Sequence, residues 1–596
     1  LFGKPKGDSR LRPESALFVF AMKRFRWQIL IVLLALAAIA VLLLGQQPVL
    51  QPIAPEVKPA TGGIYTEAMV GSLSRLNPVL DFYNPPDRDL DYLLYSGLLR
   101  FDARGLPQHD LVESMGITQD GKIYNFSLHK DAVFHDGEPL TSEDVLFTID
   151  LLRNEDLPVP DDVRDLWMEV DAEAFDEYTL QFRLPESFSP FLDYLTFGIL
   201  PEHLLGDLNA EELINAPFNL EPVGSGPYRF DRLIIQDGAM VGISLARFDD
   251  YYREPPFVEQ MIFRFYPDSQ SALQAYQAGE VEGISRVNSE VLPAALKEVA
   301  LNLYTGRLPE LTLILLNLDN PELPFFQEAE IRRALLMGLN RQRMIDISYA
   351  GQAIVADGPI FPGTWAFYDG IEHIDYNPEQ AVEALRDAGY TIPAEGGSVR
   401  TKEDTELAFE LLYPDDPQHT VLAEAIARDW QRLGVGVELQ PVSYEELVGD
   451  HLEPRIFQAT LVDINLARSP DPDPYPFWHQ SQTSSGQNYS KWDDRQASEY
   501  LEQARVTVDL TERTRLYRNF QVRFVDELPA LPLFYPVYTY AVDERVQGVT
   551  IGPLLDTSDR FTTITDWFLV ASAAREDVTP TTGSEPVSLE EPAATP

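Results

Sequence analysis

Gln119-Asp120-Gly121-Lys122-Ile123-Tyr124-Asn125-Phe126-Ser127-Leu128, then Val133-Phe134-His135-Asp136-Gly137-Glu138-Pro139-Leu140-Thr141, then Asp144-Val145: this block carries its own folding instructions. Each Asp-Gly pair suits the positive backbone angles of a tight turn. Between them Tyr124, Phe126 and Leu128 alternate with Asn125 and Ser127, the period of a half-buried strand. Thr141 with Asp144 three residues on is a capping-box start, and Val145, Ile149 and Leu152 give the helix it opens an apolar face. A strand between two turns followed by a capped helix is expected, with Gly137 and Asp144 as structural positions.

Outward from this block the chain alternates strands and helices. Pro222-Val223-Gly224-Ser225-Gly226-Pro227-Tyr228 is a rigid turn in which two glycines permit backbone approaches closed to other residues. Asp268 or Ser269 caps a helix that carries Ala272, Leu273 and Tyr276, and Gly279 ends it. Ile331, Leu335 and Leu339 mark another helix. Asn377-Pro378 opens one that Gly389 closes. Leu407 to Tyr413 reads as a strand. Leu422, Ile426, Trp430 and Leu433 line the helix after it, Gly434 caps that helix, and Val435, Val437 and Leu439 form the next strand. Leu516, Phe520 and Phe524 line a last long helix before a strand from Leu531 to Tyr540. This is an α/β pattern, and the chain is too long for one core, since cores stop growing at roughly 250–300 residues.

The 596 residues include 94 acidic and 46 basic side chains, a net charge of −48. Such a surface repels nucleic-acid phosphates, so DNA and RNA are excluded as partners. Cysteine is absent, which removes disulfides, thiolate metal sites and cysteine catalysis together. Ile29 to Gly45 is an uncharged apolar run behind the basic cluster Lys23-Arg24-Phe25-Arg26. Its length is at the lower limit for a membrane-spanning helix, and the preceding Lys and Arg place the N-terminus in the cytoplasm. The expectation is a cytoplasmic stretch 1–27, with 1–21 set aside as a mis-assigned start before Met22. An N-terminal transmembrane anchor or signal segment follows at 28–45, and a linker at 46–61 stiffened by Pro48, Pro52, Pro55 and Pro59. Residues 571–596 form an acidic, Pro-rich tail too poor in large apolar side chains to fold. The folded body is therefore exported, and it is secreted outright if 28–45 is cleaved.

No catalytic signature is present: no Gly-x-Ser-x-Gly, no phosphate-cradling glycine loop, no His-Glu-x-x-His. The eight histidines do not fall at metal-ligand spacing. No enzyme activity, cofactor or metal is expected.

The block at 119–145 and the turn at 222–228 stand in order with several other motifs: Ala246-Arg247-Phe248 to Tyr251-Tyr252, Ala278-Gly279-Glu280-Val281-Glu282, Leu316-Asn317, Pro324-Phe325, Ile331-Arg332-Arg333-Ala334-Leu335, Leu339-Asn340-Arg341, Asn488-Tyr489, and Glu527-Leu528-Pro529. Together they closely resemble solute-binding protein family five, the large receptors of ABC importers for oligopeptides, dipeptides and nickel, over about residues 62–568. The resemblance implies a two-lobed periplasmic-binding-protein-like fold with an extra subdomain. Lobe I would be discontinuous (62–98, 222–318 and 533–568), the extra subdomain would be 99–221 and lobe II 319–532, with chain crossings near Leu318 and Pro532. It implies a monomeric receptor that encloses a peptide or other small solute between its lobes and delivers it to ABC permease subunits. A sensor that uses the same fold without transport is the alternative. By the same resemblance, Asp463 and Asp471 are the candidates to meet a ligand ammonium, Trp478 is an apolar wall, and Tyr65 lies where the lobe I cleft lining begins. Gly224, Gly226, Pro227 and Tyr228 are a structural turn.

Overall fold

The computed structural model describes residues 58–570 except 103, 395, 404, 466–470 and 553. The expected cytoplasmic stretch 1–27, the expected anchor or signal segment 28–45, most of the expected linker 46–61 and the expected tail 571–596 lie outside the described residues. Among the described residues no helix is long and apolar enough to cross a membrane.

One twelve-stranded mixed sheet organises the chain. In spatial order its main path runs Gly436–Val442, Ala408–Pro414, Ala459–Asn465, Glu310–Leu316, Ala530–Asp543, Gly283–Ile284, Ile64–Val70, Gln260–Tyr266, Ala239–Arg247, Tyr228–Gln236. Leu301–Arg307 and Ala353–Val355 also pair with Ala530–Asp543. That 14-residue strand serves two neighbourhoods. Its first half, Ala530 to Pro536, pairs with Glu310–Leu316 and Ala353–Val355, and its second, from Val537, pairs with Leu301–Arg307 and Gly283–Ile284. Proline cannot donate to a ladder. Pro532 accordingly stands opposite Leu313, where the register shifts by a bulge.

The apolar interior divides at the same place. One core gathers residues from Tyr65 to Phe263 with Tyr538, Tyr540, Val542 and Trp567. A second gathers residues from Leu311 to Tyr535 with Leu555, and a third, smaller one joins Leu273, Val281, Ile284 and Leu301 beside the first. The run Leu311–Leu316, apolar except for Thr312, fits a central strand buried on both faces.

The block at 119–145 lies in a separate four-stranded antiparallel sheet, ordered Val112–Ile117, Ile123–Leu128, Thr179–Arg183, Asp171–Asp176. Gly121 takes φ +65° in the turn joining the first two strands, and Gly137 takes φ +93° in the second turn. The Asp144 carboxylate accepts from the Thr141 N–H at 2.8 Å and from the Glu202 N–H at 3.0 Å, so it caps its own helix and anchors the start of the helix Glu202–Leu205. In the second core the helix Pro417–Leu433 is capped by Asp416 and closed by Gly434 at φ +82°, as its sequence requires.

Candidate functional site

A cavity of about 1010 Å³ lies within the first core region. Its walls are the helix Pro85–Leu94, the subdomain helix Asp161–Glu169, the turn Ser189–Leu195 with the residues after it, and residues 555–566. The first helix begins at Asn84 with proline in its opening turn, and buries Leu90, Leu93 and Leu94 in the core. The 3.6-residue repeat then turns Arg88, Tyr92 and Tyr95 to the cavity. Trp167, Tyr194 and Phe561 add further aromatic wall.

Nine carboxylates and three guanidiniums line this space. Arg88 pairs with Asp556 at 2.6 Å and Arg253 with Asp110 at 3.2 Å, where the Tyr252 hydroxyl also donates. Asp559 accepts from the N–H groups of Leu555 and Asp556. Burial, only partly offset by those bonds, lifts its carboxyl to about 6.

The rim meets the second core region. The Asp471 N–H donates to the Asp193 carboxylate at 2.6 Å, and the Ser187 and Ser189 hydroxyls donate to the carbonyls of Val506 and Thr507. Arg505 pairs with Asp473 at 2.6 Å while its guanidinium lies 3.9 Å from the Tyr475 ring centre and 5.7 Å from that of Phe188. Behind the cavity a buried polar network ties residues 556–560 to the body. Arg560 contacts both Glu67 and Asp89 at 2.8 Å, and Tyr540 donates to Glu67 at 2.7 Å.

The profile of bacterial extracellular solute-binding proteins, family 5 (middle region), matches residues 107–488. The chain belongs to that family. It is 25% identical over 507 residues to the oligopeptide-binding protein AppA of Bacillus subtilis, covering 84% of this chain and 91% of that one. It is also 25% identical over 492 residues to the nickel-binding periplasmic protein of Escherichia coli, covering 79% and 88%. Among solved structures, HbpA2 from Haemophilus parasuis superposes with a TM-score of 0.73 at 21% identity, covering 85% of this chain and all of that one, which shows the shared fold.

This family 5 protein places the residues singled out from its sequence differently from one another. Asp463, on the strand Ala459–Asn465, is 37% exposed at its side chain. It accepts from Thr312 Oγ1 at 2.5 Å and faces His419 Nε2 at 3.1 Å. Burial opposes a charge on His419, but Asp463 and Asp416 on either side outweigh it and raise the imidazole pKa. Asp463 therefore stands where the two sheet halves meet, and does not line the cavity.

The other three candidates are interior. Asp471 is buried, with Arg513 and Tyr517 on its two oxygens, so it is an internal ion pair and not an open ammonium contact. Trp478 packs edge-on against Phe524 at 4.8 Å in the second core, where the short helix Tyr475–Trp478 turns it inward. Tyr65 is fully buried, its hydroxyl 2.9 Å from Glu67 and 2.6 Å from the Tyr540 hydroxyl, and its phenol pKa is pushed up by burial and by Glu67.

The glycine turn packs on the end of the cavity-wall helix. Gly226 donates to the Leu94 carbonyl at 2.8 Å, His135 bonds Gly226 O and the Gly224 N–H, and the Tyr228 hydroxyl donates to the Val258 carbonyl. Pro227 lines the cavity itself. Asp91, Tyr92, Trp167 and Asp559 were not anticipated as cavity residues. The one local signal, for Asp91 and Tyr92, is the series Asp87-Arg88-Asp89-Leu90-Asp91 on a helix that also buries Leu90, Leu93 and Leu94. Among the described residues no group of three His, Cys, Asp or Glu could hold a metal ion.

Proposed function

We propose that this family 5 protein is the extracytoplasmic receptor of an ABC importer, and that it captures a peptide-like or other amphiphilic solute in the cavity beside the Pro85–Leu94 helix. The observation that carries this reading is the cavity of about 1010 Å³, with aromatic walls and charged groups, whose rim accepts a hydrogen bond from the other core region through Asp193 and Asp471. A volume of this size suits a ligand of several residues.

The two lobes are proposed to be the two larger cores, joined where the strands exchange partners. The crossings, expected near Leu318 and Pro532, are proposed to lie at Arg307–Glu310 and Pro536–Val537, a reading supported by the change of strand partners there. Flexing there would part Asp471 from Asp193, and a solute would favour the closed state only by binding it better. The closed monomer would dock on the permease, held at the membrane by segment 28–45. The names of relatives that bind oligopeptides and nickel leave the solute class open between these. The absence of a metal-ligand cluster among the described residues favours the peptide-like class.

Native mass spectrometry of the purified full-length chain, with melting curves in di- to pentapeptides, tests the proposal. A co-purifying solute or a raised Tm is expected. Failure of the whole series to bind would overturn the peptide-like reading.

A further inference from the structure

Asp91 lines the cavity from the helix Pro85–Leu94 with 4% of its surface exposed, and among the described residues neither carboxylate oxygen makes a well-formed hydrogen bond, the backbone N–H of Asn77 being the one donor that acts on it. A buried carboxylate so weakly partnered is costly, and native structures seldom keep one without a reason. The other acids around it are held. Asp87 accepts from the N–H groups of Ser74 and Arg75, Asp556 has Arg88, Asp110 has Arg253, and Asp559 has two backbone donors.

The charges acting on Asp91 are those of Asp81 and Asp87, both negative. With burial they push its pKa well up. A proton on Asp91 is thus one remedy, and a cation is the other. Among the described residues no cation is in place to supply it. Arg100, the third guanidinium of the cavity, forms no ion pair among the described residues and its Nε is buried without a partner, but it is not among the charges acting on Asp91. The rings of Tyr92, Tyr95 and Trp167 stand in the same cavity, and aromatic faces attract ammonium and guanidinium groups.

We propose that Asp91 is the counter-charge for an ammonium or guanidinium group on the solute, so that this receptor selects solutes of net positive charge. The inference rests on the reading of the cavity as the solute site. The groups facing a bound cation carry a net negative charge even with Arg100 counted, because carboxylates outnumber guanidiniums nine to three.

Calorimetric titration of the full-length chain at pH 7 with trilysine, trialanine and triglutamate tests it. Trilysine is expected to bind at least tenfold more tightly than either other peptide. In Asp91→Asn its affinity is expected to fall at least tenfold, while that of trialanine stays within threefold. The empty Asp91→Asn protein is expected to melt at or above the wild-type temperature, since a buried charge facing Asp81 and Asp87 is removed and the amide oxygen can still accept from the Asn77 N–H. Equal affinities, a preference for triglutamate, no binding of trilysine, an unchanged trilysine affinity in the variant, or a lower melting temperature of the empty variant would each overturn the proposal. Val163→Trp, which fills the cavity from the wall formed by Asp161–Glu169, separates the two readings. If it abolishes binding while Asp91→Asn leaves the charge preference intact, the cavity stands and this inference fails. If it changes no affinity, the cavity reading fails first.

Discussion

Arg560 and Glu67 form an ion pair at 2.8 Å with both side chains wholly shielded from water, and the same guanidinium reaches Asp89 at 2.8 Å. Glu67 lies on the strand Ile64–Val70, Asp89 on the cavity-wall helix, and Arg560 in the C-terminal segment that forms the facing wall. One cation thus joins three segments that are distant in sequence. Charges taken out of water bind weakly on balance, but removal of one partner leaves the others uncompensated.

Arg560→Met is therefore expected to cost about 3–5 kcal/mol, seen as a lower denaturant midpoint. Glu67→Gln keeps an acceptor for the Tyr65 and Tyr540 hydroxyls and is expected to cost less. Equal midpoints for wild type and Arg560→Met would show that the network does not hold the wall.

A methyl group on Gly224 would stand 2.0 Å from the Leu94 carbonyl oxygen, whereas one on Gly137 would meet nothing within 4 Å. Gly137 instead holds φ +93°. Gly137→Ala is expected to cost about 1 kcal/mol in backbone strain. Gly224→Ala must push the turn off the helix end, and is expected to cost about 3 kcal/mol and to weaken solute binding through the displaced cavity wall. Equilibrium unfolding of both variants checks the order, and a greater loss at Gly137 would contradict it.

Asp559 titrates near 6 in the folded protein because burial disfavours its charge. Its unfolded value is about 3.9. The folded state therefore holds the extra proton. The stabilisation this brings is complete below about pH 4 and is lost as pH rises through about 6. In wild type the loss is on the order of 2 kcal/mol. Asp559→Asn cannot titrate, so its stability relative to wild type should rise by that amount between pH 4 and pH 7. A flat difference across the window would show that Asp559 is ionised throughout.

Elements whose partners lie nearby in the chain could be read from sequence alone. The turns at Gly121 and Gly137, the Asp144 cap, and the helix between Asp416 and Gly434 are set by residues within a few positions of one another. The switch of partners along Ala530–Asp543 is not of that kind, since its pairings reach back more than 200 residues to Leu301–Leu316. The helix Leu510–Glu527 ends on Leu528 at φ +45° with no glycine to announce it. Asp91 reads as one more solvated acid in an acidic chain. Its burial comes from residues 161–197 and 555–566, which fold over it from elsewhere. Asp471 and Trp478 read as cleft residues for the converse reason: Arg513 and Phe524, which bury them, sit on a helix some forty residues later.

Asp471 gives the sharpest contrast between a ligand contact and a structural one. Its carboxylate takes Arg513 and the Tyr517 hydroxyl, and its backbone N–H bonds Asp193 on the cavity rim. In Asp471→Asn the buried Arg513 guanidinium loses its counter-charge and keeps only neutral partners, the new amide oxygen, the Tyr517 hydroxyl and the Ala504 carbonyl at 2.9 Å. The empty protein is then expected to lose about 3 kcal/mol, and solute affinity to fall because the loop no longer holds the rim closed. A residue that only met ligand would behave otherwise. Its substitution would lower affinity and leave the melting temperature of the empty protein unchanged or raised. Melting curves without ligand, beside titrations of the same samples, distinguish the two outcomes, and an undiminished melting temperature in Asp471→Asn would return Asp471 to the solute site.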